Sequence, residues 1–531
     1  MGQCYITRRG TKTGGATEQL GVYPTGNDGR PIGNVTVLDN VTSLSRHLFI
    51  ENDNVLTVAL PQNLRSLDDY IFQNCTSLQN INIPDKVTAI PQYCFDGCDS
   101  LSKVVLPKNL TTINGYAFQN CTGLYDLIIP DEIDSLVIKG YAFSKCQGLD
   151  NETVSKLAQL AKGTIYDYAF TNLTGITEVT TSYVYDYYFK GCTNLKKLTV
   201  LNPLSNGGFG AYIVSDCTKI KEVVLPDEAT IINANMFNGR SSLTTVNIPT
   251  STITIDNNAF AGTSINNIVL PSGLKTVGSS AFQNCSKLTS INIPSACTYI
   301  GSYAFQNCTS LANVAVDENT SYVLNTYAFS GCTSLTNESA NNIMQHYSTG
   351  SAIGTYIFNE CTNLTDVEVT RFSSYMFYKC TNLIKAKSLQ AYNTGNEVFY
   401  NCTKLQEVYI ADGTTTIGDR IFYGCTSLKT VYLPSSITTA TNSSLTSTSS
   451  SYYVFYNCTS LEDVQLGQDL NMSLRLDVSN NLTVDSMVAM FNSLKDLTGD
   501  TAKTLTLGST NLAKLTDEQK LIATSKNWTL A

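Results

Sequence analysis

Leu78-Gln79-Asn80-Ile81-Asn82-Ile83-Pro84, followed by Val87, Ile90, Phe95 and Cys98, decides the fold. Ile81 and Ile83 alternate with Asn80 and Asn82, the period of a strand with one buried face. Pro84 ends that strand, because it has no N–H to give to a ladder. Val87, Ile90, Phe95 and Cys98 turn the chain inward again before the next strand begins. One such unit cannot bury its own apolar side chains. Only stacking on copies of itself closes the core.

The copies are present. The pattern Phe-x-x-Cys-x-x-Leu recurs with Phe at 49, 72, 95, 118, 143, 170, 189, 237, 260, 282, 305, 329, 358, 377, 399, 422 and 455, and with Val214 in the same place. That is eighteen repeats, most often 23 residues apart, from Asn52 to Cys458 at the Cys-equivalent sites. The expectation is a β-rich solenoid whose successive strands pair in parallel into one curved sheet, about 4.8 Å per step. An N-terminal arm and capping strand (1–45), the solenoid (46–466) and a C-terminal cap (467–531) divide the chain. Length alone, 531 residues, would suggest three or four domains, but a repeat array removes that inference.

Two longer units break the pattern. Leu149 to Leu160 and Leu335 to Met344 carry cap-like residues followed by helical spacing, so short helices are expected to replace their strands. Val484 to Phe491 reads the same way after the last repeat. In the C-terminal cap, Thr504 to Leu507 is strand-like and Thr516-Asp517-Glu518-Gln519 is a capping box opening a helix through Ser525. Trp528, the single tryptophan, is expected to hold this cap. The Ser/Thr-rich stretch from Thr438 to Ser451 is expected to be an exposed, mobile loop.

The units Phe118-Gln119-Asn120-Cys121-Thr122-Gly123-Leu124 and Phe305-Gln306-Asn307-Cys308-Thr309-Ser310-Leu311, each followed by a strand, resemble the BspA-like leucine-rich repeat family over about residues 46–466. The chain lacks the regular Asn ladder of the commoner leucine-rich pattern. The resemblance implies a leucine-rich-repeat solenoid and a role in surface adhesion, as in gut and oral bacteria, parasitic protists and phages. The two ends, Cys4-Tyr5-Ile6-Thr7-Arg8-Arg9-Gly10 and Leu512 to Gln519 with Asn527-Trp528-Thr529-Leu530, resemble termini of phage and prophage proteins of gut bacteria.

Composition narrows the function. Net charge is −9, so no basic stripe for nucleic acid is expected. No apolar run reaches the roughly 20 residues of a membrane helix, and residues 1–30 hold no apolar signal core, so no membrane insertion or secretion signal is expected. Fourteen of the 17 cysteines fall once per repeat. Asn52, Leu173, Arg240 and Thr263 take their place elsewhere, which a disulfide or metal site would not tolerate. Free thiols acting as small buried hydrophobes are expected. The Asn-Cys-Thr runs at Asn74, Asn120, Asn307, Asn401 and Asn457 belong to the repeat, with Asn and Thr serving the turn. With only His47 and His346 and no nucleophile, phosphate or dinucleotide motif, no catalytic residue, metal or cofactor is expected.

Binding should then fall to outward strand positions. Tyr409 and Tyr432 sit on adjacent rungs, with Lys385, Lys387 and Glu407 as a polar rim; Val105 and Ile128 form a second adjacent pair. Exposed tyrosines make low-entropy contacts to proteins or sugars. A further tyrosine ladder precedes the Phe positions, from Tyr70 through Tyr212 and from Tyr303 through Tyr375, with Tyr453; packing is its expected role. In the N-terminal arm, Gln3 to Thr7 reads as a strand, and Gly10, Gly14, Gly15, Gly21, Gly26, Gly29 and Gly33 as a flexible stretch. Cys4, Tyr5, Ile6, Arg8 and Arg9 could dock on a partner sheet, another virion protein or a second copy of the chain. The leading expectation is a phage virion surface protein, on tail or capsid, that meets a protein or glycan on a host or mucosal surface. The alternatives are a bacterial or protist cell-surface adhesin and an intracellular protein-binding scaffold.

Overall fold

The computed structural model describes residues 3–8, 18–24, 32–44, 46, 48–161, 167–348, 353–443, 445–447 and 453–531. The chain forms two compact units, Met1–Thr252 and Ile253–Ala531. In each, short strands of successive turns pair in parallel in a leucine-rich-repeat solenoid, and the turns along the chain number about 21 rather than eighteen. Rungs at the C-terminal end are built by Leu474–Arg475, Lys503–Thr506 and Trp528–Leu530, in parallel register without the Phe and Cys signature.

In the first unit, Val55–Ala59, Asn80–Asn82, Lys103–Val105 and Asp126–Ile128 pair rung to rung. A second ladder on the return leg joins Ala89–Ile90, Thr112–Ile113 and Val137–Ile138. A further sheet runs from Glu178–Thr181 to Thr245–Val246. In the second unit the longest sheet joins Asp366–Val369, Lys385–Ser388, Glu407–Tyr409, Thr430–Leu433 and Asp463–Leu466.

The arm is more ordered than its glycines suggest. Gln3–Arg8 pairs antiparallel with Glu18–Pro24, which pairs antiparallel with Gly33–Val37, already a parallel neighbour of Val55–Ala59. Gly21 and Gly33 therefore lie in strands, which corrects the expected flexible stretch. Pairing with neighbouring strands outweighs the weak strand preference of glycine. Arg9, Gly10, Gly14, Gly15, Gly26 and Gly29 lie outside the described residues, as do His47 and residues 444 and 448–451 of the expected loop.

The core is three columns. Phe rings stack from turn to turn at 5.1 Å between Phe49 and Phe72 and 5.3 Å between Phe282 and Phe305. Beside them run the buried Leu and Val of the strands, and the thiols. All sixteen cysteines with described side chains are free and buried. They are more than small hydrophobes: every ladder thiol donates to the carbonyl oxygen of the Phe one turn earlier, as Cys98 does to Phe72 at 3.1 Å and Cys402 to Phe377 at 3.0 Å. The residue before each ladder Cys has a left-handed backbone, φ 57° at Asn74 and 74° at Gly97. That conformation favours Asn or Gly, which fill ten of the fourteen places, with Lys145, Asp216, Glu360 and Lys379 in the others, and it accounts for the Asn of the Asn-Cys-Thr runs.

Helices replace strands where expected. Helix α1 spans Asn151–Leu160, capped by Asp150, and α2 spans Asn337–Gln345, capped by Thr336. A helix set into a sheet leaves its neighbour's N–H groups without ladder partners. Side chains supply them. Asn151 Oδ1 accepts from Thr177 N at 2.8 Å, and Asn341 Oδ1 from Glu368 N at 3.0 Å. Helix α3, Val484–Ser493, does the same through Ser486 Oγ, which accepts from Val464 N at 3.0 Å. The short helix α4, Ser509–Leu512, has no sequence signal, whereas α5, Asp517–Thr524, opens on the full Thr516/Gln519 capping box.

Candidate functional site

Strand period two builds a patch on the longest sheet of the second unit. Val367, Ala386, Val408, Val431 and Val464 point inward and are buried. Their neighbours point outward in two rows. One row runs Glu368, Lys387, Tyr409, Tyr432, Gln465; the other runs Asp366, Lys385, Glu407, Thr430, Asp463. Register therefore brings Lys385, Lys387, Glu407, Tyr409 and Tyr432 onto one face.

Tyr409 and Tyr432 stack at 4.4 Å between ring centroids and 4° between planes. Both are half-buried rather than fully exposed. Asp412, which sequence reasoning did not single out, holds them: Tyr432 donates to Oδ1 at 2.6 Å and Tyr409 to Oδ2 at 3.4 Å. Partial burial, reinforced by the Asp412 carboxylate, pushes both phenols above their ordinary range. They stay protonated donors. Lys385 pairs with Glu407 at 2.9 Å and Lys387 with Glu368 at 3.6 Å. These exposed pairs are screened by solvent and mainly fix the rim. Hydrogen bonding to Glu407 holds the Lys385 ammonium above its ordinary range.

The other expected residues fall elsewhere. Val105 and Ile128 are register partners in the first unit, half-buried and exposed respectively. They form an apolar pair flanked in their row by the exposed Asn82. Cys4, Tyr5, Ile6 and Arg8 lie on the terminal strand Gln3–Arg8, which is paired on one side within its own chain.

A second tyrosine column was also missed. Tyr378, Tyr400, Tyr423 and Tyr456 follow the Phe positions and stack at 4.8, 4.6 and 4.7 Å. The repeated Phe-Tyr pair at 377–378, 399–400, 422–423 and 455–456 was the signal. The ladder before the Phe positions also stacks, from Tyr70 to Tyr212 and from Tyr303 to Tyr375. Tyr453 leaves it, buried, with Arg475 against its ring. Glu397 and Arg420 take two of the intervening places as an ion pair. Among the described residues no three His, Cys, Asp or Glu gather as a metal site, and no helix is long and apolar enough to cross a membrane.

The profile of the family described as "BspA type Leucine rich repeat region" matches the chain in six copies, over residues 28–150, 126–242, 163–282, 208–336, 337–450 and 370–476. Residues 4–10 and 512–530 fall outside these matches. No curated protein matches the chain. Among solved structures, a leucine-rich repeat protein from Bacteroides ovatus is 19% identical, with 87% of this chain and 98% of that one covered and a TM-score of 0.40. A leucine-rich cell surface protein from Faecalibacterium prausnitzii is 18% identical, with 86% and 95% covered and a TM-score of 0.25. A leucine-rich repeat protein from Eubacterium ventriosum is 17% identical, with 79% and 90% covered and a TM-score of 0.28.

Proposed function

Because the chain belongs to the BspA type leucine-rich repeat family, we propose that it is a non-enzymatic binding protein that adheres to a protein or glycan at a cell surface. The observation that carries this is the stacked Tyr409–Tyr432 pair, fixed by Asp412 and rimmed by Lys387 and Glu368. Two phenols already locked in place lose little entropy when a ligand covers them. The strands beneath are paired rung to rung, which favours presenting the face without rearrangement. Labelled full-length protein should bind host or mucosal cells, and Tyr409→Ala with Tyr432→Ala should abolish most of that binding. Undiminished binding removes this face.

The finer placement is on a phage particle, at tail or capsid surface, and the terminal stretches support it. The paired strand Gln3–Arg8 would be its contact to other virion proteins or to a second copy of the chain. The alternative is a bacterial or protist cell surface. Mass spectrometry of purified particles beside washed envelopes separates the two. Absence from particles ends the virion reading, and a cytosolic partner with neither enrichment would instead make the chain an intracellular scaffold.

A further inference from the structure

The first unit holds a groove of about 370 Å³ against the tyrosine ladder, between the rungs of Tyr116, Tyr141 and Tyr168. That volume is in the range of small-ligand sites, roughly 300–1,000 Å³. These three rings stack at 5.0 and 4.8 Å, with planes 9° and 7° apart. Each ring face is covered by its neighbour, so the groove meets ring edges. Its other walls are polar: Asn114, Lys139 and Asp167.

The left-handed backbone is common to the whole ladder, from Tyr70 at φ 63° to Tyr375 at 60°, and a second feature sets this groove apart. The ladder tyrosines have left-handed backbones, φ 62° at Tyr116, 60° at Tyr141 and 63° at Tyr168. A bulky aromatic rarely adopts that conformation, and other rungs fill the position with Asn235, Asn258 or Ser280 at φ 59°, 56° and 54°. The backbone alone would favour those smaller residues, so the tyrosines are held against local preference. The groove floor is also hollowed. Gly115 and Gly140 occupy the position just before the tyrosine, where Gln92, Asp167 and Asp186 stand in neighbouring rungs. Neither glycine has a positive φ that would demand it.

We propose that this groove is a saccharide site, taking a short neutral glycan across the Tyr116–Tyr141–Tyr168 edge. With ring faces covered, recognition comes from hydrogen bonds, which suits a polyhydroxylated ligand better than an apolar one. Lys139 and Asp167 give the walls both signs of charge, so neither an anionic nor a cationic ligand is favoured. The site is separate from the Tyr409–Tyr432 face and does not rest on it.

The test uses full-length protein with cellobiose, maltose, lactose and N,N′-diacetylchitobiose, read by saturation-transfer NMR and calorimetry. At least one disaccharide should bind. Gly115→Gln, which places in the groove the side chain that Gln92 carries one rung away, should weaken it tenfold or more. A Cβ at Gly115 would meet Gly140 O at 3.2 Å, a tight contact, so its melting curve must be checked. Tyr141→Phe keeps the stacked ring and removes one hydroxyl, and should weaken binding by at least threefold with an unchanged melt. Tyr409→Ala with Tyr432→Ala should leave disaccharide binding intact. No binding by any of the four sugars overturns the proposal. So does binding unaffected by Tyr141→Phe.

Discussion

The thiol of Cys121 lies 3.0 Å from the carbonyl oxygen of Phe95, one turn earlier, and donates to it. The same oxygen already accepts from the Cys98 N–H at 3.1 Å. A thiol is small enough for the core column and still reaches the second lone pair, which neither Ala nor Val could do. This relation explains why Cys, rather than any small apolar residue, recurs along the array. Cys121→Ala should cost about 1–2 kcal/mol, from one lost hydrogen bond and a sulfur-sized void. The thermal melt checks it. Ladder thiols of the native protein should resist iodoacetamide and react only after unfolding.

The thiols also predict an alkaline limit to stability. Burial pushes Cys297 up to about 11 and Cys332 up to about 12. An unfolded thiol loses its proton near pH 9, while these stay protonated in the fold. Between pH 9 and each folded value the unfolded state binds fewer protons, so stability falls as pH rises. The contribution is whole below pH 9 and is lost through pH 11 for Cys297 and pH 12 for Cys332. Each such site removes about 1.4 kcal/mol per pH unit across its window. Tm should fall steeply above pH 9, and Cys297→Ala should flatten that slope. A pH-independent Tm between 9 and 11 would contradict the burial of these thiols.

At the candidate face, ring and hydroxyl can be separated. Tyr432→Phe keeps the stack on Tyr409 and leaves Asp412 without its 2.6 Å donor. It should weaken cell binding by a few fold, about 1 kcal/mol, while Tm moves little. The double alanine variant loses the stack as well, which contributes about 0.5–1.5 kcal/mol to the fold. Its Tm should therefore drop slightly, and its binding by tenfold or more. Flow cytometry and differential scanning calorimetry on the same preparations read both.

Asn151 makes the junction between α1 and the following sheet. Its Oδ1 accepts from both Thr177 N at 2.8 Å and Glu178 N at 3.2 Å. Asn151→Ala strands a half-buried donor at Thr177 and an exposed one at Glu178, and should cost about 1 kcal/mol. Asn151→Asp keeps the acceptor and adds negative charge in the first helical turn, where it is favourable, so it should be nearly neutral. Hydrogen exchange at the Thr177 amide should quicken in the first variant and not in the second.

The repeat was legible because stacking forces it to be. Phe95 and Cys98 must recur where Phe118 and Cys121 recur, or the column breaks. Strand register made the Lys387, Tyr409 and Tyr432 row readable too, since period two fixes which side chains share a face. Three kinds of feature were not legible. Asp412 reaches the tyrosines from the turn beyond the strand, and no period marks such a position. The strands at Glu18–Pro24 and Gly33–Val37 form by pairing with neighbours, which local glycine content obscures. The left-handed backbone of Tyr116 and its neighbours violates residue preference, so sequence preference points away from it. The last rungs lack the Phe-x-x-Cys signature, Phe491 of α3 having no Cys after it, which is why spacing undercounted the turns.

Those last rungs can be followed through one residue. Trp528 is 3% exposed on the strand Trp528–Leu530, and its Nε1 donates to Lys495 O at 2.9 Å. It is the single tryptophan of the chain, so its fluorescence reports this cap alone. Emission should be blue-shifted in the native protein and move to the red when the C-terminal rungs open. A repeat stack loses its end rungs most easily, because each is held by one neighbour only. In a urea titration the tryptophan transition should therefore precede the loss of far-ultraviolet dichroism. Coincident transitions would mean that the cap is bound as firmly as the interior. Trp528→Ala should cost about 3–5 kcal/mol at this end. It should expose the Lys503–Thr506 edge and raise concentration-dependent aggregation, measured by light scattering, because an uncovered strand edge recruits other chains.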